Sequence, residues 1–401
     1  MKIRDLQTFP VALALRRPFR IASASFTHLY YVIVRIETDD GAFGYGESIP
    51  AWEVTGETQF GVIDCLHHLT EGEKLGFSLI GQELSSLRDV ERIMAALCPI
   101  DRVDLVRGAP AAKAGLEEAM LDLVARGHDQ PIYELFGGSP RPVPFAPVLG
   151  IGPLDTTVER ARRLLSEGIP KIKLKIGVDG VDGLPGHGRD VRVVRAIREL
   201  IAARFPGASL VADANQGFVT AERTLEFLRQ VPDCLDYLEQ PVLADDFLGM
   251  KKVKEHGGVR LMADESLCSY HDAKLLLALD AVDVFNVKLM KCGGMFQALR
   301  LAALAKEHGK RVILGSMLES QLGAIPSLHA FFADRTFEST ESGFFDELAE
   351  QIGSGLSLDG TMIRVPKGPG TGIRVDEGDL RRHLVTRQRS RALDRVLDLY
   401  Q

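Results

Sequence analysis

The sequence predicts an α/β protein: a (β/α)8-type barrel of the modified TIM kind, with an α+β capping domain formed from the N-terminal region and the C-terminal tail. Three observations lead to this fold class. Eight short apolar runs alternate with amphipathic helical patterns between residues 143 and 340. The chain before them has a different pattern that contains a hairpin, and several of the apolar runs end in an acid or a lysine. A doubly wound open sheet is the competing arrangement, but eight regular units favour a closed barrel.

The bulk composition is that of a soluble globular protein. The chain has 401 residues, of which 45% are hydrophobic and 26% charged, and this is enough for a large barrel with an additional domain. The formal net charge of −7 and the absence of a Lys/Arg-rich run argue against a nucleic-acid partner. The first five residues lack the apolar stretch of a secretory signal, no segment is long and apolar enough to be expected to span a bilayer, and the five cysteines lack C-x-x-C spacing. We therefore expect a cytoplasmic protein that binds neither nucleic acid nor membrane.

The capping domain begins with a predicted hairpin. Residues 30–38 alternate like a strand, Asp39-Asp40-Gly41 supplies a turn, and residues 42–47 run back along the first strand. Helical periodicity follows in three segments. These segments are 61–69, 86–97 and 110–127.

The domain boundaries follow from breaks in these patterns. Gly137-Gly138 is typical of a helix stop before the repeating part, and the Gly-rich segment 368–372 marks a second break. The Arg- and Leu-rich tail beyond it is expected to form a helix that packs on the first module. We therefore expect a capping domain at 1–130, completed by 370–401, and a barrel domain at 131–369.

The barrel strands and helices are predicted from the alternation of short apolar runs with helical patterns. The strand predictions are Val143–Leu149, Ile172–Ile176, Ser209–Ala214, Asp236–Gln240, Arg260–Asp264, Val282–Lys288, Arg311–Gly315 and Phe337–Thr340. Helical patterns between them include Thr157–Ser166, Ala221–Gln230, His271–Leu279, Met295–His308 and Leu322–Phe332. The Gly-rich stretch 177–188 lacks the G-x-x-x-x-G-K-[ST] pattern, so it is interpreted as an inserted loop and not as a phosphate loop.

Three acids end successive predicted strands. Asp213, Glu239 and Asp264 (the acid trio) are separated by 26 and 25 positions, since 239 − 213 = 26 and 264 − 239 = 25. In a parallel barrel they would meet at one mouth, where their charges would repel and raise their pKa values. A hard cation removes that penalty, and oxygen-only ligands favour Mg²⁺, with Mn²⁺ as a second choice. The alternative is that such acids cap the following helices, which explains three evenly spaced acids less well.

Lysines lie on both sides of the acid trio in the chain. Lys173 and Lys175 are two apart, so they point to the same face of their strand, and Lys288 follows Asp264 by 24 positions. If that face is the barrel interior, burial near a cation is expected to lower the pKa of one lysine toward that of a useful base. Lys291 is the rival of Lys288. Lys288 is preferred because it closes an apolar run, whereas Lys291 lies in the turn before Gly293-Gly294.

These motifs together resemble the enolase superfamily and, within it, the muconate-lactonizing-enzyme subgroup. The similarity extends over essentially the whole chain. The motifs that carry it are Gly44-Tyr45-Gly46-Glu47, Leu135-Phe136-Gly137-Gly138, Lys173-Leu174-Lys175, Asp213-Ala214-Asn215, Glu239-Gln240-Pro241, Asp264-Glu265-Ser266, Asn286-Val287-Lys288 and Gly315-Ser316-Met317.

The resemblance implies Mg²⁺ on the acid trio and proton transfer at the α-carbon of a small-molecule carboxylate through an enediolate. It assigns Lys175 and Lys288 to opposite faces of the substrate and Lys173 to the carboxylate. Asn215 and Glu265 are expected to support the metal ligands and the Lys288 ammonium. The resemblance also implies a homo-oligomer.

The resemblance leaves several reactions open. A racemase or epimerase of an N-substituted amino acid, or a muconate-type cycloisomerase, is the leading hypothesis. An acid dehydratase using the same enolate is the alternative, and a non-catalytic binding protein is the hypothesis from another class. A binding protein has no need of a base on each face. His329 lies in a helical run and is interpreted as an ordinary packed or half-exposed histidine, not as a second base.

Substrate contacts are expected from the two cap loops, 19–26 and 49–58, and from the last two barrel strands. Trp52 either packs on the barrel rim or lines the pocket. Dipeptide epimerases carry D-x-D on the last strand to hold the substrate ammonium, whereas Thr340-Glu341-Ser342 offers one acid. The candidate substrate-binding residues are Phe19, Ile21, Trp52, Thr55, Ser316 and Glu341.

Overall fold

The structure of the protein, a computed structural model, describes residues 1–71, 78–97, 108–179 and 187–386. Most of the Gly-rich stretch, 180–186, and the last part of the tail, 387–401, lie outside the described residues. The predictions of an inserted loop and of a packed tail helix therefore stay predictions for those segments.

The chain begins with a three-stranded antiparallel sheet of order β1-β2-β3. Its strands are β1 (Ile3–Arg20), β2 (Ser25–Thr38) and β3 (Phe43–Ser48). The predicted hairpin is confirmed as β2 and β3, and Gly41 in its turn has a φ of 84°, which a residue with a Cβ rarely adopts.

Strand β1 was missed by the sequence prediction. Pro10 and Pro18 interrupt its alternation, and prolines argue against a strand unless one edge is left unpaired. β1 is such an edge strand and extends to Arg20, so Phe19 pairs with Phe26. The predicted first cap loop of residues 19–26 is therefore wrong in extent, and only 21–24 connect the two strands.

Helices pack on this sheet with close backbone approach. They are α1 (Gln59–Glu71), α2 (Leu87–Leu97), α3 (Pro110–Gly127) and the short α4 (Ile132–Leu135). The three predicted helices are confirmed. A Cβ added at Gly46 would lie 2.1 Å from the Gly115 carbonyl oxygen, so β3 and α3 can meet only because these positions are glycine.

The second part of the chain is a parallel sheet of eight strands whose order follows the chain. The strands are β4 (Val148–Leu149), β5 (Lys171–Lys175), β6 (Ser209–Asp213), β7 (Tyr237–Glu239), β8 (Arg260–Ala263), β9 (Val284–Val287), β10 (Arg311–Leu314) and β11 (Phe337–Thr340). The sheet curls so that Lys173 Nζ on β5 lies 2.7 Å from an oxygen of Glu341, which directly follows β11. β5 is the second strand from one end of the sheet and β11 is the other end, so this contact brings the two sides of the sheet together, as a barrel does and an open sheet does not.

The first predicted barrel strand is wrong over most of its length. Only Val148 and Leu149 pair with β5, whereas Val143 accepts a hydrogen bond from the amide of Ile363. Pro144 and Pro147 explain the difference, because a proline has no N–H to donate to a strand ladder. The other seven strands agree with their predicted bounds to within two residues.

The barrel helices alternate with the strands. They are α5 (Leu154–Ser166), α6 (Gly188–Arg204), α7 (Ala221–Gln230), α8 (Phe247–His256), α9 (Tyr270–Ala278), α10 (Leu289–Cys292), α11 (Met295–Glu307) and α12 (Gln321–Ala333). All five predicted helices are confirmed. Side-chain N-caps start four of the eight, namely Thr220, Asp246, Ser269 and Ser320.

After β11 the chain returns to the cap. A 3₁₀ turn (Phe344–Glu347) precedes β12 (Gly353–Ser354), β13 (Ser357–Asp359), β14 (Met362–Arg364), β15 (Arg374–Val375) and α13 (Glu377–Arg382). β12 pairs with β15 and β13 with β14. The Val385 amide donates to the carbonyl oxygen of Pro10 on β1 at 2.9 Å. The domain boundaries themselves stay a prediction.

Two further features concern the described residues alone. None of the helices in these ranges is long and apolar enough to cross a membrane. The described cysteines, Cys65, Cys234, Cys268 and Cys292, form no disulfide.

His329 is a packed histidine, the first of the two predicted alternatives. It is fully buried in α12 and stacks on Tyr133 with ring centroids 5.4 Å apart. Its Nδ1 accepts from the Tyr133 amide at 3.4 Å, and its Nε2 lies 3.4 Å from the Thr371 carbonyl oxygen. Both ring nitrogens are thus engaged as in a neutral imidazole.

We expect His329 to make the protein less stable in mild acid. Burial lowers its pKa to about 4, from an ordinary 6.5. The unfolded chain therefore binds a proton first, so this stabilisation is complete above pH 6.5 and is lost as the pH falls toward 4, by about 3 kcal/mol in the free energy of unfolding. Denaturant unfolding of wild type and His329→Asn at several pH values measures this. Parallel pH profiles for the two proteins would contradict the expectation.

Candidate active site

The acid trio gathers at the carboxyl ends of three adjacent strands. Asp213 and Glu239 are the last residues of β6 and β7, and Asp264 directly follows β8. One carboxylate oxygen from each lies within 4.8 Å of the others, and all three side chains are buried. The strand order β6-β7-β8 produces this convergence, because parallel strands present their carboxyl ends at the same rim.

The pKa values of the three acids are shifted in different directions. Burial raises the pKa of Glu239 to about 8, with the nearby Asp213 adding to the rise. Burial also raises the pKa of Asp213 and Asp264, but the lysines paired with them outweigh it and bring both below the ordinary value. A buried carboxyl group of raised pKa beside two carboxylates is a site that a cation would stabilise. The donor set consists of oxygens only, so it fits a hard divalent ion.

Lys173 and Lys175 point into this acidic centre from β5. Lys175 Nζ lies 2.6 Å from Asp213 Oδ2 and donates to Asn215 Oδ1 at 2.8 Å. Lys173 Nζ is 2.8 Å from Glu239 Oε2 and 3.3 Å from Asp213 Oδ2. Lys173 and Lys175 therefore share the interior face, as their spacing of two predicted.

Lys288 occupies the opposite flank. It follows β9, the strand beyond β8, and its Nζ lies 2.6 Å from Asp264 Oδ2. Burial lowers its pKa, but Asp264 outweighs burial and holds the pKa above the ordinary value. The same holds for Lys173, where Glu239 and Glu341 dominate. The lowered pKa expected for one lysine of the Lys173–Lys175 pair beside a bound cation stays a prediction.

The rival residue Lys291 lies at the same acid and was misplaced by sequence reasoning. It is fully buried in α10, and its Nζ donates to Asp264 Oδ1 at 2.5 Å, to the Asp264 carbonyl at 2.5 Å and to the Asn286 carbonyl at 3.0 Å. These three bonds use all three ammonium donors. Lys291 therefore holds Asp264 in place, and Lys288 is the lysine of the pair that retains donors for another group.

Three of the remaining predicted residues lie around the trio and its lysines, namely Asn215, Glu265 and Glu341. Asn215 links Lys175 to Glu265, because its Nδ2 donates to Glu265 Oε1 at 3.0 Å. Burial, followed by Asp264, raises the pKa of Glu265 to about 7. Glu341 accepts from Lys173 at 2.7 Å and from Lys171 at 3.3 Å. Burial raises its pKa, but Lys173 and Lys171 bring it down to about 2.

Three of the predicted substrate-binding residues, Phe19, Ile21 and Ser316, lie next to the ends of barrel strands. Ser316 follows β10 and donates to Glu319. Phe19 packs edge-on against Phe344 at 5.1 Å, and the Ile151 amide donates to the carbonyl of Arg20 beside Ile21, so this loop reaches the end of β4.

The two predicted residues of the second cap loop make no hydrogen bond to the acid trio within the described part of the chain. Thr55 bonds its own loop through the Ala51 carbonyl, and Trp52 is 70% exposed. The exposure removes the alternative in which Trp52 packs on the rim. The structure does not bring Trp52 or Thr55 to the trio, and their part in substrate binding stays a prediction.

Comparison with known proteins gives the family. Residues 156–379 match the family described as enolase C-terminal domain-like, and residues 3–137 match the N-terminal domain of mandelate racemase / muconate lactonizing enzyme. The chain belongs to the mandelate racemase/muconate lactonizing enzyme family.

Relatives of this family member are similar over nearly the whole chain. N-succinyl-L-Arg/Lys racemase of Bacillus cereus is 31% identical over 95% of this chain and 97% of its own length, and its crystal structure superimposes with a TM-score of 0.86. The dipeptide epimerase of Enterococcus faecalis, complexed with Mg and L-Leu-L-Tyr, is 29% identical, with a TM-score of 0.81 and 93% and 99% coverage. Muconate lactonizing enzyme of Pseudomonas fluorescens, complexed with muconolactone, is 29% identical, with a TM-score of 0.85 and 96% and 99% coverage.

These similarities confirm the predicted resemblance and the predicted barrel. The chain is accordingly an enzyme, and an isomerase of the enolase superfamily. Members of that superfamily use a divalent metal ion. The acid trio of this chain offers a ligand set for one.

Three polar residues near the trio were not expected from sequence to hold its acids in place. Gln240 Oε1 accepts from the amides of Asp264 and Ser266, both at 3.0 Å, and so fixes the backbone of one trio member. Asn286 Nδ2 donates to Glu239 Oε1 at 2.7 Å. Lys291 is the third. Gln240 directly follows Glu239, and Asn286 lies two residues before Lys288 within the apolar strand β9. A polar residue in or next to an apolar strand was therefore the sequence signal that could have identified both.

Proposed function

We propose that this family member is a Mg²⁺-dependent racemase or epimerase that moves the α-proton of an N-acylated amino acid. The observation that carries the proposal is the position of two lysines on opposite flanks of the acid trio. Lys175 pairs with Asp213 on the β5 side and Lys288 with Asp264 on the β9 side. A base on each side allows a proton to be removed from one face of a carbon while another proton is delivered to the opposite face.

Asp213, Glu239 and Asp264 would hold the metal ion. Bound Mg²⁺ would supply positive charge to the substrate carboxylate as negative charge develops on it during proton removal. Lys173 adds a fixed ammonium within 2.8 Å of Glu239 and contributes to the same stabilisation. Gln240 and Lys291 keep Asp264 oriented through its backbone and its Oδ1.

Each lysine must alternate between amine and ammonium. Lys288 has a raised pKa because of Asp264, so the amine form becomes accessible when that carboxylate's charge is satisfied by another cation. Lys175 is oriented by two acceptors, Asp213 Oδ2 and Asn215 Oδ1. In one direction Lys175 would take the α-proton while the Lys288 ammonium delivers another to the opposite face. In the reverse direction the two exchange roles.

The charge around Glu341 supports a substrate whose acyl group carries no ammonium over a dipeptide, whose acyl group does. The Glu341 carboxylate is buried and already paired with Lys173 and Lys171. An ammonium placed there would meet two lysines sharing one carboxylate and would be repelled. A neutral amide nitrogen carries no such cost. The similarity to N-succinyl-L-Arg/Lys racemase of B. cereus points in the same direction.

We expect N-acyl amino acids to exchange their α-proton at least tenfold faster than dipeptides of the same residue. The measurement is proton NMR in D₂O with Mg²⁺, using N-acetyl and N-succinyl amino acids beside matched Ala-Xaa dipeptides and muconate. Loss of the α-proton signal with formation of the opposite enantiomer supports the proposal. Consumption of muconate, or loss of a β-hydroxyl group without exchange, would replace it with a cycloisomerase or a dehydratase.

A charge variant separates the two substrate classes further. Lys171→Met leaves Glu341 with Lys173 alone and is expected to raise the activity toward dipeptides relative to N-acyl amino acids. Lys310→Met is the matched control, since Lys310 is similarly half-buried and pairs with Asp280 away from the trio. An unchanged ratio in Lys171→Met, with activity intact, would contradict the role given to Glu341.

A further inference from the structure

Two buried carboxylates of the first module extend into the barrel. Glu47 lies near the end of β3 and Glu117 in α3, and both are buried. Neither belongs to the acid trio or contacts it in the interactions described above. Each ends at the N-terminus of a barrel helix, Glu47 at α12 and Glu117 at α11. We name this pair the cap anchors.

Glu47 holds the start of α12. Its Oε1 accepts from the Ser320 amide at 3.0 Å, and its Oε2 accepts from the Ser320 hydroxyl. Gly323 leaves room for the carboxylate, because a Cβ added there would lie 2.3 Å from Glu47 Oε1. The first turn of a helix has unpaired amides and a partial positive charge, so a carboxylate is favoured at this place.

Glu117 holds the start of α11 in the same way. Its Oε1 accepts from the amide of Met295 and from that of Phe296 at 3.3 Å. Gly294 again provides the space: it has a φ of 120°, and a Cβ there would lie 2.4 Å from Glu117 Oε1. Two successive barrel helices thus each receive one carboxylate from the same module, each beside a glycine.

The segments that lead into these two helices carry Lys288 and the predicted substrate-binding residue Ser316. Lys288 and Lys291 precede α11, and Ser316 and Glu319 precede α12. A Cβ added at Gly315 would lie 2.8 Å from Lys288 Cε, so the two loops are in contact beside that lysine.

A third cap contact reaches the same place. The Tyr31 hydroxyl of β2 donates to the Leu318 carbonyl at 2.9 Å, two residues before Ser320. The loop from 316 to 320 is therefore attached to the first module at Leu318 and at Ser320.

We propose that Glu47 and Glu117 are positioning residues that transmit the placement of the cap to the loops bearing Lys288 and Ser316. On this account the cap sets the rate of proton transfer, in addition to any substrate contacts of its loops. This inference rests on the proposed function, because its test measures kcat of the proposed reaction. A geometric displacement of about 1 Å at the reacting groups is enough to lower a rate about a hundredfold.

The variants distinguish anchoring from general stability. Glu47→Ala removes both bonds to Ser320, whereas Glu47→Gln keeps an acceptor for the amide and gains a donor for the hydroxyl. Gly323→Ala displaces the carboxylate without removing it, at a helix position where alanine is favourable. Glu117→Ala tests the second anchor. Asp122→Ala is the matched control, because Asp122 is a buried acid of α3 that bonds Tyr45 and Thr371 and not a barrel helix terminus.

We expect kcat to fall at least tenfold in Glu47→Ala, Gly323→Ala and Glu117→Ala, with KM changed less than threefold. Glu47→Gln should stay within threefold of wild type, and Asp122→Ala should lose thermal stability without losing kcat. Amide hydrogen exchange of peptides covering 315–323 should speed up in Glu47→Ala and Gly323→Ala but not in Asp122→Ala. If Glu47→Ala does not fold, Gly323→Ala and Glu47→Gln give the same comparison.

The inference is overturned if folded Glu47→Ala or Gly323→Ala keeps wild-type kcat, or if Asp122→Ala loses kcat to the same extent. An inactive wild type on every substrate would instead overturn the proposed function. In that case hydrogen exchange of 315–323 still decides whether Glu47 anchors the loop, since unchanged exchange in both variants rejects it.

Discussion

Replacing Lys288 with alanine should abolish interconversion of the two enantiomers while leaving α-proton exchange of one of them. The remaining base, Lys175, can still remove and return a proton on its own face, but no group delivers one to the other face. Lys175→Ala should give the mirror result. We expect racemisation to fall by about 10²–10⁴-fold in each variant, the usual contribution of a positioned acid or base. Incubation of each pure enantiomer in D₂O, followed by NMR and chiral chromatography, measures exchange and inversion separately.

Lys310→Ala is the control for the loss of a lysine that does not contact the acid trio, because Lys310 pairs with Asp280. Lys291→Met tests the choice between the two lysines at Asp264. Since all three Lys291 donors are occupied, this variant should lower stability and metal affinity but retain exchange of both enantiomers. If Lys288→Ala still racemises the substrate and Lys291→Met does not, Lys291 is the second base.

Asp264→Asn should lose metal binding and racemisation together. The substitution removes one charged oxygen ligand and also leaves Lys288 and Lys291 without their shared carboxylate. We expect Mg²⁺ affinity to fall by about a hundredfold or more, because even changes to residues that only orient metal ligands cost 10–100-fold. Isothermal titration calorimetry with Mg²⁺ gives the affinity, and α-proton exchange gives the activity.

Asp122→Asn removes a buried carboxylate elsewhere and should leave Mg²⁺ affinity unchanged. Circular dichroism of both variants separates unfolding from loss of the site. Wild-type Mg²⁺ affinity in a folded Asp264→Asn protein would rule out the trio as the metal site. Absence of Mg²⁺ binding by the wild-type protein would leave the proposed metal without support.

Much of the barrel was predictable because its signals are local. An apolar run followed by an amphipathic pattern predicts a strand and then a helix. An acid at the end of each strand, at near-constant spacing, predicts that these acids lie at the same mouth of the barrel. The bounds of β11 and α7 were predicted to the residue. The prediction failed where proline broke the pattern, at β1 and before β4, since hydrogen-bond partners distant in sequence decide whether such a segment pairs.

The candidate site was predictable in its members but not in their pairing. Asp213, Glu239, Asp264, Lys175 and Lys288 all lie where the strand ends placed them. Lys291 was assigned to a turn, yet it lies fully buried on Asp264. The direction of the Lys291 side chain depends on the one-turn helix α10. A helix of four residues is too short to be recognised from a sequence pattern between a predicted strand and a longer predicted helix.

By itself the sequence determined that this protein has a parallel barrel, which residues end its strands, and which chemistry three acids between lysines can carry. These are consequences of period and order along the chain. Only the tertiary structure decided which lysine at Asp264 has its ammonium donors occupied, that Glu341 is paired with two lysines, and that Glu47 and Glu117 bond the starts of two barrel helices. Each of these is a contact between residues far apart in sequence, whose energy depends on distance and burial and not on the local pattern.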